Sequence, residues 1–235
     1  MDRLFELGRL LPVPDWLALV TLFAGWTFYA VFARRRASVQ PSILGSSNRW
    51  RRRWMLQSTH REVRVLDGVV VQHMSSSASF FASTTILIIG GLLAVLGTTE
   101  KASDLVRELP FAARTSLLVF DMKVAVLAAV FVYAFFRFTW SIRLYSMGAL
   151  LVASAPERDA ITDEAERQAF ADRAGRLMGM AAESFNDGLR AYYLSFAAVS
   201  WFFSPWAMVV ATVGVLVVLY RREFRSEVVK VLESG

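Results

Sequence analysis

Two ionisable residues, Asp121 and Lys123, lie well inside an apolar run that extends from Leu117 to Phe136. A charge at the centre of a bilayer costs ~2.5–3.5 kcal/mol on insertion scales, so such a residue normally has a partner or a function. Lys123 shares a helical face with Arg137, which predicts a basic line that could attract an anion. The favoured interpretation is that the Lys123 amine reaches the outer interface along its own aliphatic stem, and the anion path is the alternative. Asp121 points elsewhere and is expected to pair with another helix or protomer.

A second group of polar side chains consists of hydroxyls in the preceding apolar run, where Ser79 and Ser83 are candidates for a solute pathway or for pairing. Ser79 lies on one side of a helix with Gly90 and Gly97. Small residues at this spacing let two helix backbones approach closely in lipid, so helix packing is the favoured interpretation. A solute pathway is the alternative, and hydroxyls that point in other directions count against it.

The elements that hold these residues are long apolar stretches bounded by arginines. A helix needs about 20 apolar residues to cross ~30 Å of hydrocarbon, and 55% of the 235 residues are hydrophobic. The expected fold is all-α, a single polytopic membrane domain with about five segments, at residues 16–33, 78–97, 116–137, 190–203 and 205–221. The last two are expected to form a hairpin broken at Pro205, and one kinked span is the alternative.

The distribution of arginine predicts the orientation. Residues 33–75 contain nine arginines and only two carboxylates. Because basic loops remain in the cytoplasm, the pattern predicts a multi-pass membrane protein with its N-terminus outside and its C-terminus in the cytoplasm. Cytoplasmic helical segments are expected at about residues 46–76 and 157–189.

The second of these segments has the pattern of a soluble amphipathic helix. Its apolar residues recur at helical spacing, and Thr162 stands where an N-cap is expected. The alanine-rich face is expected to pack on the basic helix around Arg61 to Val71, on a neighbouring protomer or on another protein.

Arginine and tryptophan alternate in the first cytoplasmic segment. This pattern suits an anionic leaflet, where each basic residue contributes ~1 kcal/mol. The candidates for lipid binding are Arg49, Trp50, Arg51, Arg52, Arg53 and Trp54. Anionic headgroups on the cytoplasmic side are therefore the expected partners, and nucleic acid is not expected.

No catalytic, cofactor-binding or metal-binding residue is predicted. The two histidines, His60 and His73, have no carboxylate at ligand spacing, and the chain has no cysteine. Neither a Gly-x-Ser-x-Gly turn nor a glycine-rich phosphate loop occurs. An enzyme is accordingly not the favoured class, and no cofactor is expected.

Four ordered blocks resemble a known family of bacterial membrane proteins: Ser77 to Thr85, Tyr133 to Ser141, Arg190 to Tyr193 and Tyr220 to Phe224. The family is catalogued as a domain of unknown function, the five-nine-nine family. The resemblance covers nearly the whole chain and implies a helical inner-membrane protein, but it supplies no activity, ligand or site residue. Ser204 stands where the resemblance leads us to expect a histidine before proline, which leaves no titrating group at that turn.

Two functions from different classes follow from these features. The favoured one is a homo-oligomeric channel or carrier for an ion or small charged solute, because charges, small-residue faces and a broken helix occur in the spans. The alternative is a non-catalytic scaffold or regulatory protein that binds anionic lipid or a partner protein through its basic cytoplasmic helices.

Overall fold

A computed structural model describes residues 11–37, 40–107, 116–160 and 163–234. Within these ranges all regular secondary structure is helical, which confirms the all-α class. The helices are α1 (Val13–Ala37), α2 (Ile43–Ser58), α3 (Val65–Gly97), α4 (Thr99–Arg107), α5 (Leu117–Ala153), α6 (Glu164–Ser200), α7 (Pro205–Phe224) and α8 (Glu227–Glu233).

Three of the described helices, α1, α3 and α5, are long and apolar enough to cross a membrane. They contain 25, 33 and 37 residues, which at 1.5 Å per residue correspond to about 38, 50 and 55 Å. The hydrocarbon core is only ~30 Å thick. Both α3 and α5 therefore extend well past the ends of the predicted spans, because leaving the hydrocarbon does not by itself end a helix.

The chain divides into two compact units. Unit 1 comprises Met1–Arg35, Thr85–Tyr133 and Arg190–Arg221, and unit 2 comprises Arg36–Thr84, Ala134–Leu189 and Arg222–Gly235. Each unit has its own buried core. The core of unit 1 includes Leu22, Phe131, Leu194, Trp201 and Met208, and the core of unit 2 includes Met55, Leu144, Phe170, Ala174 and Met178.

In unit 1 the direction of the last part of α6 relative to α1 follows from two contacts between them. The indole of Trp201 contacts Asp15 near the start of α1, whereas the guanidinium of Arg190 lies over the ring of Tyr29 more than three turns further along α1. The end of α6 therefore runs antiparallel to α1.

Helix α7 runs in the opposite direction. Leu216 lies against Gly25, and the rings of Tyr220 and Phe32 are 6.2 Å apart, so α7 is parallel to α1. The end of α6 and α7 consequently form a hairpin with its turn at residues 201–204. Ser204 caps α7 by accepting from the Ala207 amide at 2.9 Å, and proline suits the first helical position because no hydrogen bond is needed there.

In unit 2 the predicted apolar face of α6 is buried. Ala171, Ala174 and Ala181 have no exposed surface, and their cluster includes Met55 of α2 and Val71 of α3. One expected partner, the basic helix up to Val71, is therefore among the observed partners. The predicted N-cap Thr162 lies outside the described residues, and the Asp163 carboxylate accepts from the Ala165 amide at 3.0 Å.

Glycines let α2 approach α6 closely. A Cβ atom on Gly175 would lie 2.8 Å from the Arg52 Cα, and one on Gly179 would lie 2.9 Å from the Asn48 Oδ1. The two glycines are four residues apart and so lie on the same face of α6. They form the surface on which α2 rests.

Candidate functional site

Lys123 is a buried ammonium inside the candidate span α5. Only 2% of the residue is exposed, and its Nζ donates a hydrogen bond to the Trp201 carbonyl at 2.9 Å. That carbonyl belongs to the residue after the last residue of α6, where helix carbonyls have no intrahelical donor. Lys123 therefore caps the C-terminus of α6 at the hairpin turn, a position where the helix dipole favours a cation.

Aromatic rings surround this ammonium. Its Nζ lies 5.5 Å from the centroid of Trp201 and 5.9 Å from that of Phe202, which is within cation–π distance. The ring of Phe202 packs edge-on against Phe120, with 5.6 Å between centroids. The aromatic wall replaces part of the hydration that the ammonium loses on burial.

A carboxylate completes the group of residues around Lys123. Asp15 is 6% exposed, accepts from the Trp201 Nε1 at 2.6 Å and interacts electrostatically with Lys123. We call Asp15, Lys123, Trp201 and Phe202 the Lys123 cluster; it connects α1, α5 and the turn after α6. The interpretation that Lys123 reaches the outer interface does not describe this geometry, because the amine is enclosed.

Sequence reasoning missed Asp15 and Trp201. Asp15 directly precedes the first predicted span, and Trp201 lies inside the fourth, where an apolar residue is expected. The sequence did contain a signal. A buried lysine needs a carboxylate or a free carbonyl as partner. Asp15 supplies the first at the start of an apolar helix, and the helix end before Ser204-Pro205 supplies the second.

Asp121 is held by a different helix. Its Oδ1 accepts from the hydroxyl of Thr99, the first residue of α4, at 2.7 Å. The expectation that Asp121 pairs with another helix agrees with this contact, although Thr99 is a neutral partner.

Arg137 belongs to unit 2 and forms a direct ion pair. Its Nη2 lies 2.5 Å from the Asp187 Oδ2, and the Asp187 side chain is 5% exposed. The hydroxyl of Ser184 also donates to the Arg137 carbonyl at 2.7 Å. The two cations of the predicted basic line therefore have separate partners: the Trp201 carbonyl for Lys123 and Asp187 for Arg137. Asp187 was missed because the amphipathic pattern of α6 drew attention to its apolar face.

The hydroxyls of α3 mostly bond to their own helix. Ser79 donates to the Ser75 carbonyl at 3.0 Å, while Ser83 is exposed. Thr85 is fully buried and its hydroxyl is 2.7 Å from that of Tyr192. Intrahelical bonds of this kind satisfy a hydroxyl in lipid without a water-filled path.

The candidate lipid-binding residues lie on α2, and several of them contact α8 within unit 2. Arg49 pairs with Glu233, and the Trp50 indole donates to the Leu232 carbonyl at 3.2 Å. The guanidinium of Arg53 lies 5.1 Å from the Trp50 centroid. Arg52 and Arg53 are both exposed, but the Arg52 Cα lies against Gly175 of α6, and Arg53 lines a pocket with Leu232 and Glu233 of α8.

The other two candidates on α2 have partners within unit 2. Arg51 donates to the Asn48 side chain at 2.8 Å, and the Trp54 indole donates to Asp67 at 2.6 Å. Asp67 also pairs with Arg61 at 2.5 Å. The bond of Trp54 therefore connects α2 with α3, whereas that of Arg51 lies within α2.

Glu233 has a lowered carboxyl pKa. The hydrogen bond from the Ser46 hydroxyl is the main cause, and the charge of Arg49 adds to it. The Ser46 Oγ lies 2.5 Å from the Glu233 Oε1. This carboxylate is the polar link between α2 and α8.

Among the described residues no group of three histidine, cysteine, aspartate or glutamate side chains is placed to hold a metal ion. His60 and His73 are both exposed.

The sequence model of one family, described as a protein of unknown function, DUF599, matches residues 17–228. No curated protein and no solved structure matches the chain.

Proposed function

The chain belongs to the DUF599 family of proteins of unknown function, and we propose on that premise that it is a homo-oligomeric channel or carrier for an ion or small charged solute. The observation that carries the proposal is the buried ammonium of Lys123 at a helix end inside a candidate span. An uncharged donor would satisfy one carbonyl without the insertion penalty of a charge. A charge kept at this depth is by default a functional group.

The proposed topology has five membrane segments in the inner membrane. To the three candidate spans it adds the end of α6 and α7, whose antiparallel hairpin supports two further crossings. The arginines Arg34, Arg35, Arg36, Arg221 and Arg222 then come to the cytoplasmic side. The N-terminus is outside, the C-terminus is inside, and the Lys123 cluster lies toward the outer side.

The proposed mechanism uses the hairpin turn as the moving part. In carriers with interrupted helices, the C-terminal ends of half-helices coordinate the coupling cation. Here the ammonium of Lys123 occupies that position at the Trp201 carbonyl. Loss of the Lys123 proton weakens the bond that holds the turn, and another cation that binds the Trp201 carbonyl replaces the ammonium there. An anionic solute would instead compete with Asp15 for the ammonium.

The homo-oligomer is proposed to form through α3. The outer face of this helix carries Gly90, Gly91 and Gly97, and a Cβ atom at any of them would meet nothing within 4 Å. Small residues on an open face permit close approach of a second copy in lipid.

Flux in proteoliposomes tests the proposal, with protons, alkali cations and small anions as permeants. Lys123→Met is expected to abolish flux, and Lys101→Met, which replaces an exposed lysine of α4, is the matched control. Lys123→Arg preserves the charge but cannot release a proton at working pH, so a proton-coupled carrier loses flux while it stays folded.

Thermal unfolding of each variant separates loss of function from loss of fold. Wild-type flux in a folded Lys123→Met protein contradicts the proposal, as does the absence of flux for every permeant.

The scaffold is the second candidate function, and the exposed Arg52 and Arg53 of α2 favour it. If no flux occurs, Arg52→Gln with Arg53→Gln should weaken binding of partner proteins or anionic vesicles. Co-sedimentation with vesicles, compared with Lys101→Met, measures this.

A further inference from the structure

An apolar groove runs along unit 1 between α1 and α5. Its volume is about 450 Å³, within the roughly 300–1,000 Å³ range of small-molecule sites. Ala30 and Ala129 are small lining residues, and Phe23, Trp26 and Tyr133 supply aromatic ones. The groove ends at Arg34, which also lines it.

The aromatic walls support one another. The rings of Phe23 and Trp26 are stacked with centroids 6.5 Å apart, and Trp26 packs edge-on against Tyr133 at 4.9 Å. Contacts of this kind hold side chains in place beyond simple burial. The groove is therefore already shaped before an occupant arrives.

The length of the groove matches one leaflet. Phe23 and Arg34 are eleven residues apart on α1, which corresponds to about 16 Å of helix. Half of the ~30 Å hydrocarbon core is about 15 Å. An acyl chain that lies beside Phe23 and Trp26 thus brings its own headgroup to the level of Arg34.

The charge of the groove selects the headgroup. Arg34 is exposed and lines the groove, whereas Arg35 and Arg36, the next two residues, are not among its lining residues. A guanidinium binds phosphate through paired hydrogen bonds, and basic residues beside a span face the anionic cytoplasmic leaflet.

We propose that this groove is a binding site for one anionic glycerophospholipid of the cytoplasmic leaflet, with an acyl chain between α1 and α5 and its phosphate at Arg34. The site is separate from the Lys123 cluster and from the arginines of α2. It requires no transport activity.

Native mass spectrometry of the purified full chain, loaded from nanodiscs with equal amounts of phosphatidylglycerol and phosphatidylcholine, tests the site. Wild-type protein is expected to retain one phosphatidylglycerol in preference to phosphatidylcholine. Arg34→Gln should lower that preference about tenfold, whereas Arg35→Gln, the adjacent exposed arginine, leaves it unchanged.

A second pair of variants tests the acyl part of the site. Ala129→Trp fills the groove and should remove the retained lipid, whereas Ala125→Trp, one turn earlier on α5 and exposed, should not. Equal losses for Arg34→Gln and Arg35→Gln overturn the proposal, because the basic triplet then acts as a diffuse charge. Undiminished retention by Ala129→Trp, or equal retention of both lipids by wild type, also overturns it.

Discussion

Units 1 and 2 each hold a cation of α5, fully buried in unit 1 and partly exposed in unit 2, and they neutralise it in different ways. In unit 1 the partner of Lys123 is a helix-end carbonyl, and Asp15 is connected to it through the indole of Trp201. In unit 2 Arg137 is paired directly with Asp187. Removing either member of a direct ion pair leaves the charge of the other uncompensated, so the two residues depend on each other. A carbonyl partner can be exchanged for another acceptor, which makes Lys123 the better candidate for the proposed function.

The largest expected effect comes from breaking the direct pair. Asp187→Asn leaves the guanidinium of Arg137 without its carboxylate and should destabilise the protein by about 3 kcal/mol. Thermal unfolding in detergent measures the loss. The double variant Arg137→Met with Asp187→Leu should restore most of it, and a change within ~0.5 kcal/mol for Asp187→Asn would show that the pair is not structural.

Lys123→Met should lower the free energy of unfolding by less than Asp187→Asn does. The change removes one charged hydrogen bond to the Trp201 carbonyl, worth about 2 kcal/mol, and Asp15 keeps its hydrogen bond from the Trp201 indole. Lys101→Met should leave unfolding unchanged. A double-mutant cycle with Asp15→Asn should give a coupling of at least ~0.5 kcal/mol; additivity would separate Asp15 from the Lys123 cluster.

The local packing around two glycines, one in each unit, gives a further contrast. In unit 2 a Cβ atom on Gly188 would lie 2.5 Å from the Phe138 ring, whereas one on Gly214 in unit 1 would meet nothing within 4 Å. Gly188→Ala should destabilise by about 1 kcal/mol, since overpacking outweighs the better helix propensity of alanine. Gly214→Ala should be neutral or slightly stabilising. Chemical or thermal unfolding of both variants checks this, and equal effects would contradict the contrast.

The smallest expected effect is a loosening of α8 at low pH. The pKa of Glu233 in the folded protein is lowered below its ordinary value of 4.5, so its contribution is complete above pH 4.5 and is lost as the pH falls through the lowered pKa. The protection factors of the α8 amides, which correct for the intrinsic pH dependence of exchange, should therefore fall in acid. Glu233→Gln should remove this fall; unchanged protection of α8 in acid in the wild-type protein would argue against the carboxylate link.

The long apolar helices and the break before Pro205 could be predicted from local sequence, because hydrocarbon thickness and the missing proline amide act within one stretch of chain. The buried face of α6 followed from helical spacing in the same way. Local patterns cannot predict which distant residue a buried polar group contacts. Lys123 and Trp201 are 78 residues apart, and Trp201 and Asp15 are 186 apart.

The arginine and tryptophan residues of α2 also have a partner that local patterns do not predict. The alternation around Trp50 predicts membrane docking, but the Trp50 indole donates to Leu232, which is 182 residues away. A basic and aromatic surface suits a lipid headgroup and a helix C-terminus equally well, since both present oxygen acceptors to it. The choice between them depends on where the chain brings α8.

The cap on α6 has a consequence for biosynthesis. A ribosome adds about 5–20 residues per second, so the 78 residues that separate Lys123 from Trp201 take roughly 4–16 s to appear. During that interval the nascent helix carries an ammonium whose acceptor has not yet been made. The cap on α6 therefore cannot form before residue 201 has been made, and until then Asp15 is the one member of the Lys123 cluster, besides Lys123 itself, that the chain already contains.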